Sequence, residues 1–265
     1  MLKRTIVFGI ACLLAIHGWA QEKPGQSAKE LADKLSNPVA AMISVPLQNN
    51  IDYGIGVQSG SKYTLNVQPV VPISLGPKWN LITRYIFPII DQRNITSSDS
   101  RQFGLSDATI SAWLSPKGSK NGLIWGAGPV FLVPSGSDVS SHKWGIGPTA
   151  LILDQKPEIT FGVLINQIWS IAGDQQAEDV NQMFVQPFIA HNWKSGAGIS
   201  LNSEITCNWH DQSTTAFLNL LGTAITKFGS QIVQFGVGPR IPLAAPNGRS
   251  TDFGLRAVVT FIFPQ

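Results

Sequence analysis

Residues 198–209 read GISLNSEITCNW and residues 253–263 read FGLRAVVTFIF. In the first stretch Ile199, Leu201, Ile205 and Trp209 stand opposite Ser200, Asn202, Glu204, Thr206 and Asn208. In the second, Phe253, Leu255, Ala257, Val259, Phe261 and Phe263 are set against Gly254, Arg256 and Thr260. Side chains of a strand point alternately to its two faces, so each stretch is a ribbon with one apolar face and one polar or small face. Alternation held for ten or more residues marks a membrane strand, with one face to lipid and one to a lumen. Strands of soluble domains run to about 5–6 residues.

The pattern recurs. Ile43, Val45, Leu47, Ile51 and Tyr53 alternate with Ser44, Gln48, Asn50 and Asp52, and Tyr63, Leu65, Val67, Val71, Ile73 and Leu75 with Thr64, Asn66, Gln68 and Ser74. Twelve such segments can be marked, near 41–53, 63–75, 79–91, 103–115, 122–134, 144–154, 158–169, 180–193, 197–209, 214–227, 230–242 and 252–263, of which 122–134 and 214–227 are the least regular. Their connections alternate between tight turns (76–78, 155–157, 194–196, 228–229) and stretches of about ten residues rich in Ser, Asp, Gln and Gly, as in barrels with short periplasmic turns and long external loops. The turn at 116–121 is long for its class and the loop at 210–213 short. The expected fold is all-β: a transmembrane antiparallel up-and-down barrel of about 12 strands.

Composition points the same way. Charged residues are 13% of the 265-residue chain, about half the ~25% usual for soluble domains, while hydrophobic residues are 43%, too many for a disordered chain. The formal charge of +3 is not concentrated in any basic run, so nucleic acid is not an expected partner. Lys3 and Arg4, the apolar run Ile6 to Ile16, and Gly18 and Ala20 form a signal-peptide pattern with cleavage after Ala20. Cys207 is then the one remaining cysteine and cannot form an intrachain disulfide. The expected organisation is a signal peptide at 1–20, an N-terminal helical segment at 21–40 and an outer-membrane barrel at 41–265. Ser27 and Glu30 have capping-box spacing, and Ala28, Leu31, Ala32 and Leu35 share one helical face. A helix over 27–36, on or in the periplasmic mouth, is expected.

Three finer features follow. All seven tryptophans after the leader fall at strand ends (Trp79, Trp113, Trp125, Trp144, Trp169, Trp193, Trp209), where amphipathic rings anchor barrels in membrane interfaces. Pro46, Pro69, Pro72, Pro88, Pro129, Pro134, Pro148, Pro187 and Pro239 lie within strands, although each removes a ladder donor and a closed barrel has no edge to hide it; bulges would have to absorb several. Three G-x-G-P copies begin at Gly126, Gly145 and Gly236. They lack the third glycine of a dinucleotide fingerprint, and either leave room in the lumen for bulky side chains from the opposite wall or mark bulge sites where the strand bends.

Charge on the lipid face costs about 2–4 kcal/mol at the midplane, so the mid-strand charges belong inside. The lumen-lining candidates are Asp52, Asn66, Gln68, Arg84, Asp107, Asn166, Glu204, Arg240 and Arg256, interleaved with Ile82, Ile86, Ile90, Val130 and Leu164. They read as a constriction that orients a solute or as salt bridges that stiffen the wall. His142, His191 and His210 show no nucleophile elbow or metal-ligand spacing. No catalytic residue, cofactor or metal is expected; the expected partners are outer-membrane lipid and a small solute.

The stretches ELADKLSNPV (30–39), LNVQPVVP (65–72), WNLI (79–82), WGAGPVF (125–131), KWGIGP (143–148) and VNQMFVQP (180–187) resemble a bacterial family of exported β-barrel proteins. Its members are usually labelled "transporter", sometimes mislabelled neuromedin U, and grouped with the outer-membrane proteins of meta-pathway phenol degradation. The resemblance spans nearly the whole chain after the leader. It implies an outer-membrane barrel that admits small hydrophobic or aromatic compounds, and it brings no catalytic or ligand residues. Phe263 is followed by Pro264 and Gln265, where many barrels end on the aromatic. The function expected is passage of small, weakly polar or aromatic solutes through a mixed lumen. The alternatives are a plugged structural or binding barrel and a soluble exported β-sandwich.

Overall fold

A computed structural model describes residues 27–118, 122–157, 159–246 and 250–263; the expected signal peptide at 1–20 and the last two residues lie outside them. Twelve strands follow one helix. They are β1 (Ile43–Ile55), β2 (Gly60–Val67 and Val70–Leu75), β3 (Trp79–Arg93), β4 (Arg101–Leu105 and Ala108–Pro116), β5 (Leu123–Val133), β6 (Lys143–Gln155), β7 (Ile159–Gly173), β8 (Asn181–Asn192), β9 (Ala197–Asn208), β10 (Ser213–Phe228), β11 (Gln231–Ala244) and β12 (Phe253–Phe263). Each pairs antiparallel with the next. β12 returns to β1 in continuous register, from Ile43 opposite Phe263 to Tyr53 opposite Phe253. The sheet therefore has no edge, and the stacked layers of a sandwich are excluded. The short connections gather at one end of the barrel, the turn end, and the longer ones at the other, the loop end.

The outer face is apolar. Trp125, Trp144, Trp169, Trp193 and Trp209 are 42–50% exposed, and Phe161, Ile165, Ile189, Phe235 and Leu255 stand out from the strands between them. One tryptophan departs from the expected belt. Trp113 is fully buried and points into the lumen, where its indole Nε1 donates to Thr149 Oγ1 at 3.2 Å. The cause is the break in β4. From Ile86 to Ile89 strand β3 advances three residues, while its partner advances four, from Thr109 to Leu105. The extra residue at Ser106–Asp107 turns odd-numbered side chains inward below it, although even-numbered ones face inward above it.

The helix α1 (Ala28–Leu35) lies inside the barrel at the turn end. Ser27 caps it by accepting from the Glu30 N–H. Leu31 packs with Met42 and with the inward Ile232 and Ile262. The Asp33 carbonyl accepts from Gln155 Nε2 at 2.7 Å, and Asn192 Nδ2 donates to Asp33 Oδ1 and Ser36 Oγ, both at 3.0 Å. Above the helix, Val39 joins Ile82, Trp113, Leu151, Leu153 and Leu164 in an apolar cluster across the lumen.

The prolines of the three G-x-G-P copies, Pro129, Pro148 and Pro239, sit at gaps in the ladder. Between β4 and β5 the pairs Ser111–Val130 and Leu114–Ala127 are formed and nothing between them. The same two-residue gap recurs between β6 and β7 around Gly147 and Pro148, and between β10 and β11 around Gly238 and Pro239. In all three G-x-G-P copies the second glycine meets a neighbouring carbonyl: a Cβ on Gly128, Gly147 or Gly238 would lie 1.9, 1.7 or 1.8 Å from the oxygen of Ala112, Gln167 or Leu220. The missing proline N–H releases that carbonyl from the ladder, and the bare glycine lets it lean in. The first glycine makes room for an inward neighbour, as Gly126 does for Trp113 and Gly145 for Ile168. The room is thus taken by a side chain of the adjacent strand, not of the opposite wall, and the ladder shifts register at the second copy, between Trp144 and Gly145.

This geometry predicts that Gly147→Ala and Gly238→Ala each lower stability by about 1–3 kcal/mol, the usual cost of forced overpacking. Gly222→Ala, with open space around its added Cβ, should change it by less than about 0.5 kcal/mol. Reversible urea unfolding of the refolded barrel in detergent, followed by tryptophan fluorescence, measures both.

Candidate functional site: a vestibule above a charged floor

A cavity of about 790 Å³ fills the loop-end half of the lumen. β1 and β2 supply most of its polar wall through Gln48, Asn50, Asp52, Lys62, Thr64, Asn66 and Gln68, while β3 contributes Arg84 and Ile86. Phe184, Glu204, Phe217 and Arg240 close the opposite side, and Ile95, Thr96, Pro246 and Thr251 bound it at the loops. Even spacing along β1 and β2 accounts for the polar wall, since residues two apart share a face.

The floor is a hydrogen-bonded charge network. Arg240 donates from Nε to Asp52 Oδ1 at 3.2 Å and from Nη1 to Glu204 Oε2 at 2.6 Å and Asn219 Oδ1 at 3.1 Å. Its guanidinium also lies 3.6 Å from the Phe217 ring centroid. Arg256 donates to Asn50 Oδ1 and Glu204 Oε2, both at 2.7 Å, and Asn219 Nδ2 donates to Asn202 Oδ1 at 3.0 Å. One carboxylate oxygen of Glu204 therefore joins two guanidiniums and ties β9 to β11 and β12. Gly254 makes the Asp52–Arg240 contact possible, because a Cβ there would lie 2.5 Å from Asp52 Oδ1.

Of the nine expected lumen residues, Asp52, Asn66, Gln68, Arg84, Glu204 and Arg240 line the vestibule together. Arg256 is inward but sealed beneath the floor, at 2% exposure. Asn166 is buried on the same face of β7 as Leu164, away from the vestibule. Asp107 does not line it. At the β4 break its carboxylate accepts from Ser140 Oγ and from the Ser141 N–H at 2.9 Å, which fastens the loop at 134–142. Sequence reasoning missed Lys62, which lies just before the marked start of β2, and Asn219, in one of the least regular segments. It also missed Phe184 and Phe217, which look like lipid-facing aromatics until the register of β8 and β10 is known.

Two smaller cavities, of about 540 and 200 Å³, lie at the turn end. Asn37, Val39, Ala40 and Ala41 line the larger, and Leu35, Ser36 and Pro38 the smaller. The chain following α1 thus borders both, and Gln186 lines the smaller as well as the vestibule.

No protein-family model matches the chain, and no curated protein matches it, so the resemblance to the phenol-degradation grouping rests on the quoted motifs alone. Among solved structures, the crystal structure of an outer membrane channel from Pseudomonas putida F1 superposes with a TM-score of 0.68 at 14% identity, covering 84% of this chain and 96% of that one. The two share a fold. A NanC porin aligns at a TM-score of 0.48 and 10% identity over 83% of this chain and 100% of that one, too loosely to bear on the reading.

Removing the shared acceptor should unfasten the floor. Glu204→Leu leaves the buried Arg256 without a carboxylate and Arg240 with Asp52 alone, and is expected to cost on the order of 3 kcal/mol. Arg101→Gln, which breaks an exposed pair with Asp91 at the loop end, should cost less than about 1 kcal/mol. Urea midpoints for the two variants make the comparison; equal losses would contradict a structural role for the network.

Proposed function

We propose that the protein is an outer-membrane channel that passes small, weakly polar or aromatic solutes, with residues 27–42 setting its resting conductance. The observation that carries this reading is the two-tier lumen. A vestibule that mixes amides with Ile86, Phe184 and Phe217 suits solutes with both polar and apolar parts. Below it the lumen is occupied by Val39, Trp113 and α1. The shared fold with a known outer membrane channel and the apolar outer belt support the membrane setting. On this reading the longer loops face the cell exterior and the turn end faces the periplasm.

A second reading, a permanently plugged structural barrel, is favoured by the burial of Leu31 and the bonds from Gln155 and Asn192 to Asp33. Planar-bilayer recordings separate the two. The channel reading expects small, fluctuating currents from the full chain and currents several-fold larger from Leu31→Asp, which places a charge in an apolar contact, and from a deletion of 27–41. Silence in all three favours the plugged barrel.

A further inference from the structure

Four cationic side chains meet two carboxylates in and under the vestibule: Lys62, Arg84, Arg240 and Arg256 against Asp52 and Glu204. Both carboxylates are engaged, Asp52 by Arg240 and Glu204 by Arg240 and Arg256 together. Among the described residues, Lys62 and Arg84 form no ion pair, and neither side chain makes a hydrogen bond. Arg84 is the more telling. Its Nε is buried with no acceptor, and its guanidinium lies 5.7 Å from the centroid of the sealed Trp113 ring, which holds it at the vestibule wall. A buried donor without a partner costs free energy that an incoming acceptor recovers. A carboxylate matches the guanidinium fork better than any neutral oxygen does.

The groups that share the cavity with Arg84 decide what the carboxylate is attached to. Ile86 is two residues along the same face of β3, and Phe184 and Phe217 line the same space. An inorganic anion would leave these apolar surfaces unmatched. We propose that the vestibule is a binding site for a small organic carboxylate with an apolar body. Arg84 takes its carboxylate, Ile86, Phe184 and Phe217 take its body, and Lys62 supplies attractive charge toward the loop end. The assignment rests on reading the lumen as solute-facing and names the solute class.

Equilibrium binding to the refolded full chain in detergent tests it without requiring transport. The probes are benzoate, its neutral counterpart benzamide, and acetate, all titrated at fixed salt. Benzoate should bind about 10-fold or more tightly than benzamide, as expected when a charge-assisted pair is lost, and tighter than acetate, which lacks the apolar body. Arg84→Gln should weaken benzoate about 10-fold without changing benzamide, whereas Arg101→Gln should leave both unchanged. Equal affinity for benzoate and benzamide in the unaltered protein overturns the proposal whether or not the variant folds, as does a folded Arg84→Gln barrel that keeps its benzoate affinity. Bilayer recordings on the same sample keep the two readings apart. Benzoate binding without conductance upholds this site and removes the channel, while conductance without benzoate preference does the reverse.

Discussion

A backbone inside hydrocarbon has no water to turn to, so its N–H and C=O groups must be satisfied within the protein. Pairing of β12 with β1 meets that demand by leaving no edge. The other features follow from closure. The strands alternate because each divides lipid from lumen, and the chain can be poor in charge because its outer surface needs none. Pro129, Pro148 and Pro239 each follow a glycine over which a neighbouring carbonyl leans. Pro129 and Pro148 face each other across β5 and β6, and their ladder gaps fall on the far side of each strand, toward β4 and β7.

Closure also makes an interior that must be filled or wetted, and this chain does both. Toward the loop end the wall is amide-rich and charged, with Glu204, Arg240 and Arg256 bound into one network. Toward the turn end it is apolar and occupied by α1 and Val39. The arrangement separates two tasks. The network ties the wall together where strands β9 to β12 meet β1, and the inserted segment is held by side-chain bonds and by the apolar packing of Leu31 and Val39, not by ladder pairing. Arg84 stands apart from both, a cation with no ion-pair partner among the described residues.

Much of this was legible in residues taken alone. The period of two, strand count, turn-and-loop alternation, helix limits and most inward charges follow from local spacing, because a strand's faces are set by its own alternation. What was not legible depended on events between strands. One inserted residue at Ser106–Asp107 reverses the faces of β4, which sends Trp113 inside and leaves Asp107 to hold a loop. The place of α1 within the lumen depends on Asn192 and Gln155, more than a hundred residues away in the chain. The difference between Arg240, which is paired, and Arg84, which is not, requires knowing which carboxylates lie opposite, and no spacing along a single strand contains that.

Large side chains on one strand face point outward, where the membrane reading places lipid, while Trp113 alone among the described tryptophans is sealed in the lumen. Quenching by brominated acyl chains tests it most directly, using two barrels refolded in bilayers, one keeping only Trp169 and the other only Trp113. Trp169 fluorescence should be strongly quenched and that of Trp113 little. Equal quenching, or the reverse order, would contradict it.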